Sequence, residues 1–220
     1  MPGHGFPGEW EKMARERIRL RFTKRDTLRF IGHHDLLRLI ERLLRRAGMP
    51  VEMTAGFHPK QKVSYVSALP LGMASDDEVM EVVFAAEFTL EEILARLNAA
   101  SVDGLSFFGA VRLPEDGKKS SAVSFLYEIP LPPTPPADLS GRIATLMAAD
   151  SMMVTKANGK ETDLRGSLLS LELERNAMTA SFAVRPGPEA GVRELMVYLG
   201  MEDDLYKSVF PCRKATRLAE

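Results

Sequence analysis

From Arg15 to Lys24 the chain alternates with period two: Ile18, Leu20 and Phe22 on one side, Arg17, Arg19 and Arg21 on the other. Such alternation fits only a strand with one buried face. After Gly32 the period switches. Leu36, Leu37, Ile40, Leu43 and Leu44 recur at helical spacing, and Arg38, Arg42 and Arg45 follow i, i+4, i+7 on another face. Gly48 and Pro50 then supply helix-exit chemistry. The expected helix runs from about His34 to Ala47, and Leu28 to Ile31 reads as a short extended lead-in.

Beyond it, Val51 to Thr54 reads as a short strand, Ala55 to Gln61 as a loop and Lys62 to Leu69 as a strand. Pro70, Gly72 and the Ser-Asp-Asp group read as its end. Glu78 to Phe84 alternates again, Thr89 with Glu92 forms a capping box for a helix over Leu90 to Ala99, and Leu105 to Leu113 is an apolar strand. The order strand, helix, strand, strand, helix, strand is that of a split β-α-β, ferredoxin-like sandwich. After Pro114 to Ser121 the order recurs with decorations. Strands are expected at Val123 to Ile129, Met152 to Lys156, Leu168 to Leu173, Met178 to Val184 and Lys207 to Cys212. Helices are expected at Leu139 to Ala149 and Ala190 to Leu199, the second following Pro186 and Pro188, and Asn158-Gly159 is a tight turn. The fold class expected is therefore α+β, two tandem ferredoxin-like units. Residues 1–14 are a Gly- and Pro-rich leader in which Met13 offers an alternative start, 15–113 the first domain, 114–121 a linker and 122–220 the second domain.

Charge is unevenly spread. From Ala14 to Lys62 there are 13 Lys and Arg against 5 Asp and Glu, whereas Val63 to Glu220 has 15 against 23. A basic first third suits phosphates or an acidic protein, and a solvated helix face fits the same numbers. If Ile18, Leu20 and Phe22 face the helices, Arg17, Arg19 and Arg21 lie on the open sheet face. Related sandwiches hold RNA there. The other possibility is that the second unit packs on that face and its acids pair with the arginines.

Cys212 is the only cysteine, so no disulfide, iron–sulfur or thiolate zinc site is expected within the chain. No apolar run approaches the roughly 20 residues of a membrane helix, and the N-terminus lacks the apolar core of a signal peptide. A cytoplasmic location fits best.

Arg29 to Gly72 concentrates the polar chemistry. It holds His33, His34 and His58, the basic helix, and the Gly56-Phe57-His58-Pro59 loop followed by Lys62 and Tyr65. His33 precedes a helix N-terminus, where backbone N–H groups favour an anion. With Lys62 and the Gly56–Pro59 loop it reads as a phosphate pocket, or else as a capping-region histidine bonded to backbone. His33, Asp35 and His58 lack a strong ligand spacing, so no metal is expected.

Several motifs together resemble the radical-SAM-linked protein family. They are Leu28-Arg29-Phe30-Ile31, Gly32-His33-His34-Asp35-Leu36-Leu37-Arg38, Glu41-Arg42, Arg45-Arg46-Ala47-Gly48, Gly56-Phe57-His58-Pro59, Lys62, Leu69-Pro70-Leu71-Gly72 and Thr162-Asp163-Leu164-Arg165. That family is a domain of unknown function found beside, or fused behind, radical-SAM proteins that often carry a cobalamin-binding region. His34 stands where the family has an apolar residue, and His58, Lys60 and Gln61 stand where it has Asn, His and Pro. His34 and His58 are accordingly weaker candidates than His33. The resemblance implies an accessory role to a radical-SAM enzyme. Without a three-cysteine cluster motif this chain cannot itself perform the radical chemistry.

The expected function is a noncatalytic accessory or substrate-binding partner of a radical-SAM enzyme, without a cofactor of its own. It would contact RNA or phosphate through Arg17, Arg19, Arg21, His33, Arg38, Arg42, Gly56, Phe57, Pro59 and Lys62. A metal-independent ribonuclease using His33, Lys62 and Tyr65 is one alternative, by analogy of fold. A protein-only adaptor is another.

Overall fold

A computed structural model describes residues 15–185, 189–205 and 207–219. The expected leader at 1–14, with Met13, and the prolines at 186 and 188 lie outside the described residues. The chain forms β1 (Glu16–Lys24), a 3-10 turn (Asp26–Phe30), α1 (His33–Arg46), β2 (Val63–Tyr65), β3 (Ala74–Phe84), α2 (Leu90–Ala99) and β4 (Leu105–Leu113). It continues with β5 (Ala122–Pro130), α3 (Leu139–Ala148), β6 (Met153–Thr155), β7 (Glu161–Asp163) and the single-turn α4 (Leu164–Ser167). Then come β8 (Leu168–Leu173), β9 (Ala177–Ala183), α5 (Val192–Leu199), a 3-10 turn (Glu202–Asp204) and β10 (Cys212–Leu218).

The architecture is mixed α and β. One eight-stranded sheet runs β4-β1-β3-β10-β5-β9-β8, with β2 paired to β3, and β6 and β7 form a separate ribbon. Among the described residues every pairing between these strands is antiparallel except β3 with β10, which is parallel and spans Cys212↔Ala74 and Arg213↔Ser75. β3 is long enough to serve two neighbours along one edge: β10 at its start and β2 near its end, where Val63 faces Val82 and Tyr65 faces Met80.

Two hydrophobic clusters hold the helices to the strands. In the first, Ile18, Leu20 and Phe22 of β1 pack with Leu36, Ile40, Leu43 and Leu44 of α1 and Ile93 and Leu97 of α2. Period two on β1 and period 3.6 on the helices bring those positions to one layer. Thr89 caps α2 through Glu92 N at 3.1 Å. In the second cluster, Ile129, Met178, Ala180 and Phe182 pack with Leu139, Ile143 and Leu146 of α3 and Leu195, Met196 and Leu199 of α5.

The structure corrects several element boundaries. Leu28 to Phe30 lies in the 3-10 turn, not in an extended segment. Val51 and Met53 make only isolated bridges, to Phe84 and Gln61, and the strand expected over Lys62 to Leu69 is confined to Val63–Tyr65. The last strand is Cys212–Leu218, after the position expected for it. Its Arg213-Lys214 pair disguises a strand in which both of those cations meet carboxylates of β3.

The largest correction concerns Asp76, Asp77 and Glu78. Ser75, Asp76 and Asp77 lie inside β3 rather than ending the preceding strand, so β3 begins before Glu78, and Asp76, Asp77 and Glu78 form the seam with β10. Asp76 meets Lys214 and Arg25, each at 2.6 Å. Asp77 meets Arg21 at 2.6 Å and accepts the Thr216 N–H at 2.7 Å. Glu78 meets Arg213 at 3.0 Å, both side chains being 3% exposed. Carboxylates are tolerated in a buried strand only when cations and N–H groups from neighbouring strands meet them. Burial would raise Asp76, yet hydrogen bonds from Lys214 and Cys212, with the charges of Lys214 and Arg25, hold it below the usual carboxylate range.

Gly104 shows what the β1–β4 connection requires. Its φ is +84°, and a Cβ there would sit 2.5 Å from the Arg25 carbonyl oxygen, the residue whose N–H donates to the Gly104 oxygen at 2.8 Å. Gly104→Ala is expected to cost more than the ~1–2 kcal/mol of a left-handed alanine alone, read as a lowered urea midpoint. An unchanged midpoint would show that the turn relaxes freely.

Candidate functional site

The basic helix and the Gly-Phe-His-Pro loop face each other. Around the loop, Thr54 N–H donates to the Lys60 oxygen at 2.7 Å, Lys60 N–H donates to Thr54 Oγ1 at 3.0 Å, and Lys62 N–H donates to the Glu52 oxygen at 2.7 Å. These bonds and the Met53–Gln61 bridge make Val51 to Lys62 a hairpin-like arm. Gly56, at φ +118° with no atom near its missing Cβ, turns the tip. Phe57 at that tip is fully exposed, and His58 and Pro59 beside it are exposed.

Between α1 and this arm lies a groove of about 480 Å³. His34, Leu37, Arg38, Glu41 and Arg45 line it from the helix, and Met53, Pro59, Lys60, Gln61 and Val63 line it from the arm and β2. Arg38 is 3.6 Å from Asp35, an exposed pair of little energetic consequence. Among the described residues no carboxylate pairs with Arg42, Arg45 or Lys60. Behind the groove, the Gln61 Oε1 and Tyr65 hydroxyl oxygens are buried without hydrogen-bond partners. Burial pushes the Tyr65 phenol well above its ordinary range, with a further push from the Glu41 carboxylate.

The structure divides the residues singled out from sequence. Arg38 and Pro59 line the groove, while Gly56 and Phe57 form the tip beside it. His33 and Lys62 each meet a different neighbour. Its half-buried ring lies edge-on to Tyr65, with centroids 5.5 Å apart, and Lys62 is held by Glu52 at 2.7 Å. Burial first, then the positive fields of His34 and Lys24, hold His33 below its ordinary 6.5. It is neutral at pH 7.

A depressed histidine pKa has a definite sign in linkage. As pH falls below about 6.5 the unfolded chain takes up the His33 proton before the folded one does, so this residue's share of stability declines toward acid. Side-chain NMR titration is expected to show His33 with a midpoint below 6.5. A midpoint above that value would mean that a carboxylate or bound anion reaches it.

The β1 arginines are on the other side of the sheet, and each has a protein partner. Arg17 is buried. Its guanidinium meets Glu81 at 2.6 Å and donates to the carbonyls of Gly117 and, at 2.9 Å, Lys118. Arg19 donates to Ser120 Oγ at 2.8 Å. Arg21 holds Asp77 and the Thr216 carbonyl. The acids concerned belong to β3, and the segment after β4 folds back over Arg17 and Arg19.

Arg45 is the groove cation that the i, i+4, i+7 stripe made visible. Lys60, Glu41 and Gln61 carried no signal of their own, because only the folding of the arm against α1 brings them opposite one another. Among the described residues no group of three or more His, Cys, Asp or Glu could hold a metal, and no helix is long and apolar enough to cross a membrane.

Residues 17–195 match the family described as "Uncharacterized protein conserved in bacteria (DUF2344)", and the chain belongs to that family. No curated protein matches it. A solved structure titled "Crystal Structure of an Unknown Protein from Galdieria sulphuraria" aligns over 94% of this chain and 100% of its own, at 11% identity and a TM-score of 0.30. A similarity that low carries no argument about fold or function.

Proposed function

We propose that the protein is a noncatalytic, cytoplasmic partner of a radical-SAM enzyme and that it contacts RNA through the groove between α1 and the Val51–Lys62 arm. The carrying observation is a set of cations without carboxylate partners: Arg45 and Lys60, which line the groove with Arg38, and the exposed Arg42 of the same helix outside its lining, together with an exposed aromatic, Phe57, at the tip of the arm. Cations tracking a backbone and an aromatic on which a base can stack are the two ingredients of single-strand binding. The β1 arginines are left out of this surface because Glu81, Asp77, Ser120 and backbone carbonyls occupy them. The partner enzyme class rests on the motif set from Leu28 to Gly72.

Each half is read as a ferredoxin-like unit. Supporting this are the antiparallel order β4-β1-β3 with β2 on β3 in the first half, and β10-β5-β9-β8 in the second, with the β6–β7 ribbon inserted. A ribonuclease would need His33 and Lys62 on one phosphate, and no contact favours that arrangement.

The test is binding of the purified protein to single-stranded RNA across a salt series, with crosslinked pull-down from the native cell. A steep loss of affinity with salt and recovery of a radical-SAM enzyme support the reading. Recovery of that enzyme with no RNA would replace it by a protein-only adaptor. Cleavage of RNA that disappears in His33→Ala would replace it by a nuclease.

A further inference from the structure

The groove has a second chemical character besides its positive rim. Leu37, Met53 and Val63 give it apolar walls. Glu41 and Gln61 also line it; among the described residues no hydrogen bond or ion pair meets the Glu41 carboxylate, and Gln61 Oε1, closed off from solvent behind the groove wall, has no donor. The Glu41 carboxylate is therefore the groove's open acceptor for N–H groups. Arg38, Arg45 and Lys60 outnumber Glu41 there, which disfavours a cationic donor such as a lysine or arginine side chain. The occupant suited to these terms is flat, neutral at its donor edge and anionic elsewhere.

We propose that this groove is a guanine-nucleotide site, with the base between the apolar walls, its N–H edge on the Glu41 carboxylate, and its phosphate on Arg38, Arg45 and Lys60. Guanine presents two adjacent donors, the ring N1–H and the exocyclic amino group, which a carboxylate accepts side by side. Adenine and cytosine offer one amino group next to a ring acceptor, and that acceptor would be turned against the carboxylate. A volume of about 480 Å³ lies within the range of small-ligand sites. The inference rests on the RNA-contact reading of the same groove and names the base that it selects.

The experiment is calorimetric binding of GMP, AMP, UMP and inorganic phosphate to the full chain, and to Glu41→Gln and Arg45→Ala. GMP is expected to bind at least about tenfold tighter than AMP or UMP, the lower end of what a bidentate base contact gives. Glu41→Gln is expected to bring that ratio near one while inorganic phosphate binding is unchanged, and Arg45→Ala to weaken all three nucleotides together. A guanosine-containing tetranucleotide that binds more tightly than GMP assigns the site to a strand, and equal binding assigns it to the free nucleotide. No guanine preference in the unsubstituted protein, or a preference that survives Glu41→Gln, overturns the proposal. The two readings fail separately. Salt-sensitive RNA binding without base preference removes this inference alone. RNA binding indifferent to the groove cations removes the RNA reading, and the GMP ratio still decides the site.

Discussion

Arg213→Met is expected to destabilise the protein by about 3–5 kcal/mol, the usual consequence of leaving one member of a buried ion pair behind. Arg213 is 2% exposed. It meets Glu78 at 3.0 Å and Ser67 Oγ at 2.8 Å, donates to the Tyr127 hydroxyl at 3.1 Å, and its guanidinium lies 4.0 Å from the Phe125 ring centroid. Methionine fills much of the volume but supplies none of the donors. Lys24, itself buried and bonded to the Ile31 oxygen at 3.0 Å, remains as a cation near Glu78, opposed by the negative charge of Asp77.

The pH dependence of that loss has a worked-out sign. Burial already pushes the Glu78 carboxyl up, against the pull of Arg213. Removing Arg213 raises it further. A group whose folded pKa is raised contributes stability below its unfolded value and loses it as pH rises, so the deficit of Arg213→Met is expected to be smaller at pH 5 than at pH 8. Adding Glu78→Gln to Arg213→Met is expected to recover part of the loss at pH 8, because the orphaned carboxylate is gone. Urea unfolding of the three proteins at the two pH values measures all of this. A deficit that is equal at both, with no recovery in the double variant, would mean that packing against Phe125 rather than charge holds the seam.

The second large effect belongs to the groove. Replacing Arg38, Arg42, Arg45 and Lys60 together by glutamine is expected to lower single-stranded RNA affinity on the order of a hundredfold at low salt. It is also expected to flatten the dependence of log K on log salt by about 3, since each phosphate contact on a single strand contributes about 0.7 to that slope. All four side chains are exposed, so the thermal midpoint is expected to stay close to that of the unsubstituted protein. Phe57→Ala should weaken binding while leaving the salt slope in place, because stacking releases no counterions. An unchanged slope in the fourfold variant, measured by fluorescence anisotropy, would falsify the RNA reading of this face.

The two effects separate cleanly because the two sets of charges differ in burial. On the strands, Arg17, Arg21 and Arg213 are matched by Glu81, Asp77 and Glu78 of β3, and the Glu78–Arg213 pair joins the halves of the sheet. On α1 and the arm the charges are exposed and have few partners. Both sets look alike in the sequence. Arg17, Arg19 and Arg21 alternate with apolar residues as an open face would, and Ser75-Asp76-Asp77 looks like the polar end of a strand. Nothing local distinguishes a charge facing water from one facing a strand more than 130 residues away, as in the Glu78–Arg213 pair.

Periodicity by itself determined a good deal: β1, α1, α2, β4 and β8 lie where the apolar spacing puts them, α2, β4 and β8 to the residue. It also exposed the α1 stripe that carries Arg38, Arg42 and Arg45, and it picked out the Gly56–Pro59 turn. Those features are local, set by side-chain direction along one element and by glycine's freedom at positive φ. The pairing of β3 with β10, the pairing of Arg17 and Arg21 with β3 acids, the contact of His33 with Tyr65 and of Lys62 with Glu52, and the groove that Glu41 and Gln61 both line were decided by the tertiary structure alone. Each depends on which distant strand or arm supplies the partner, and a long-range contact leaves no period in the sequence.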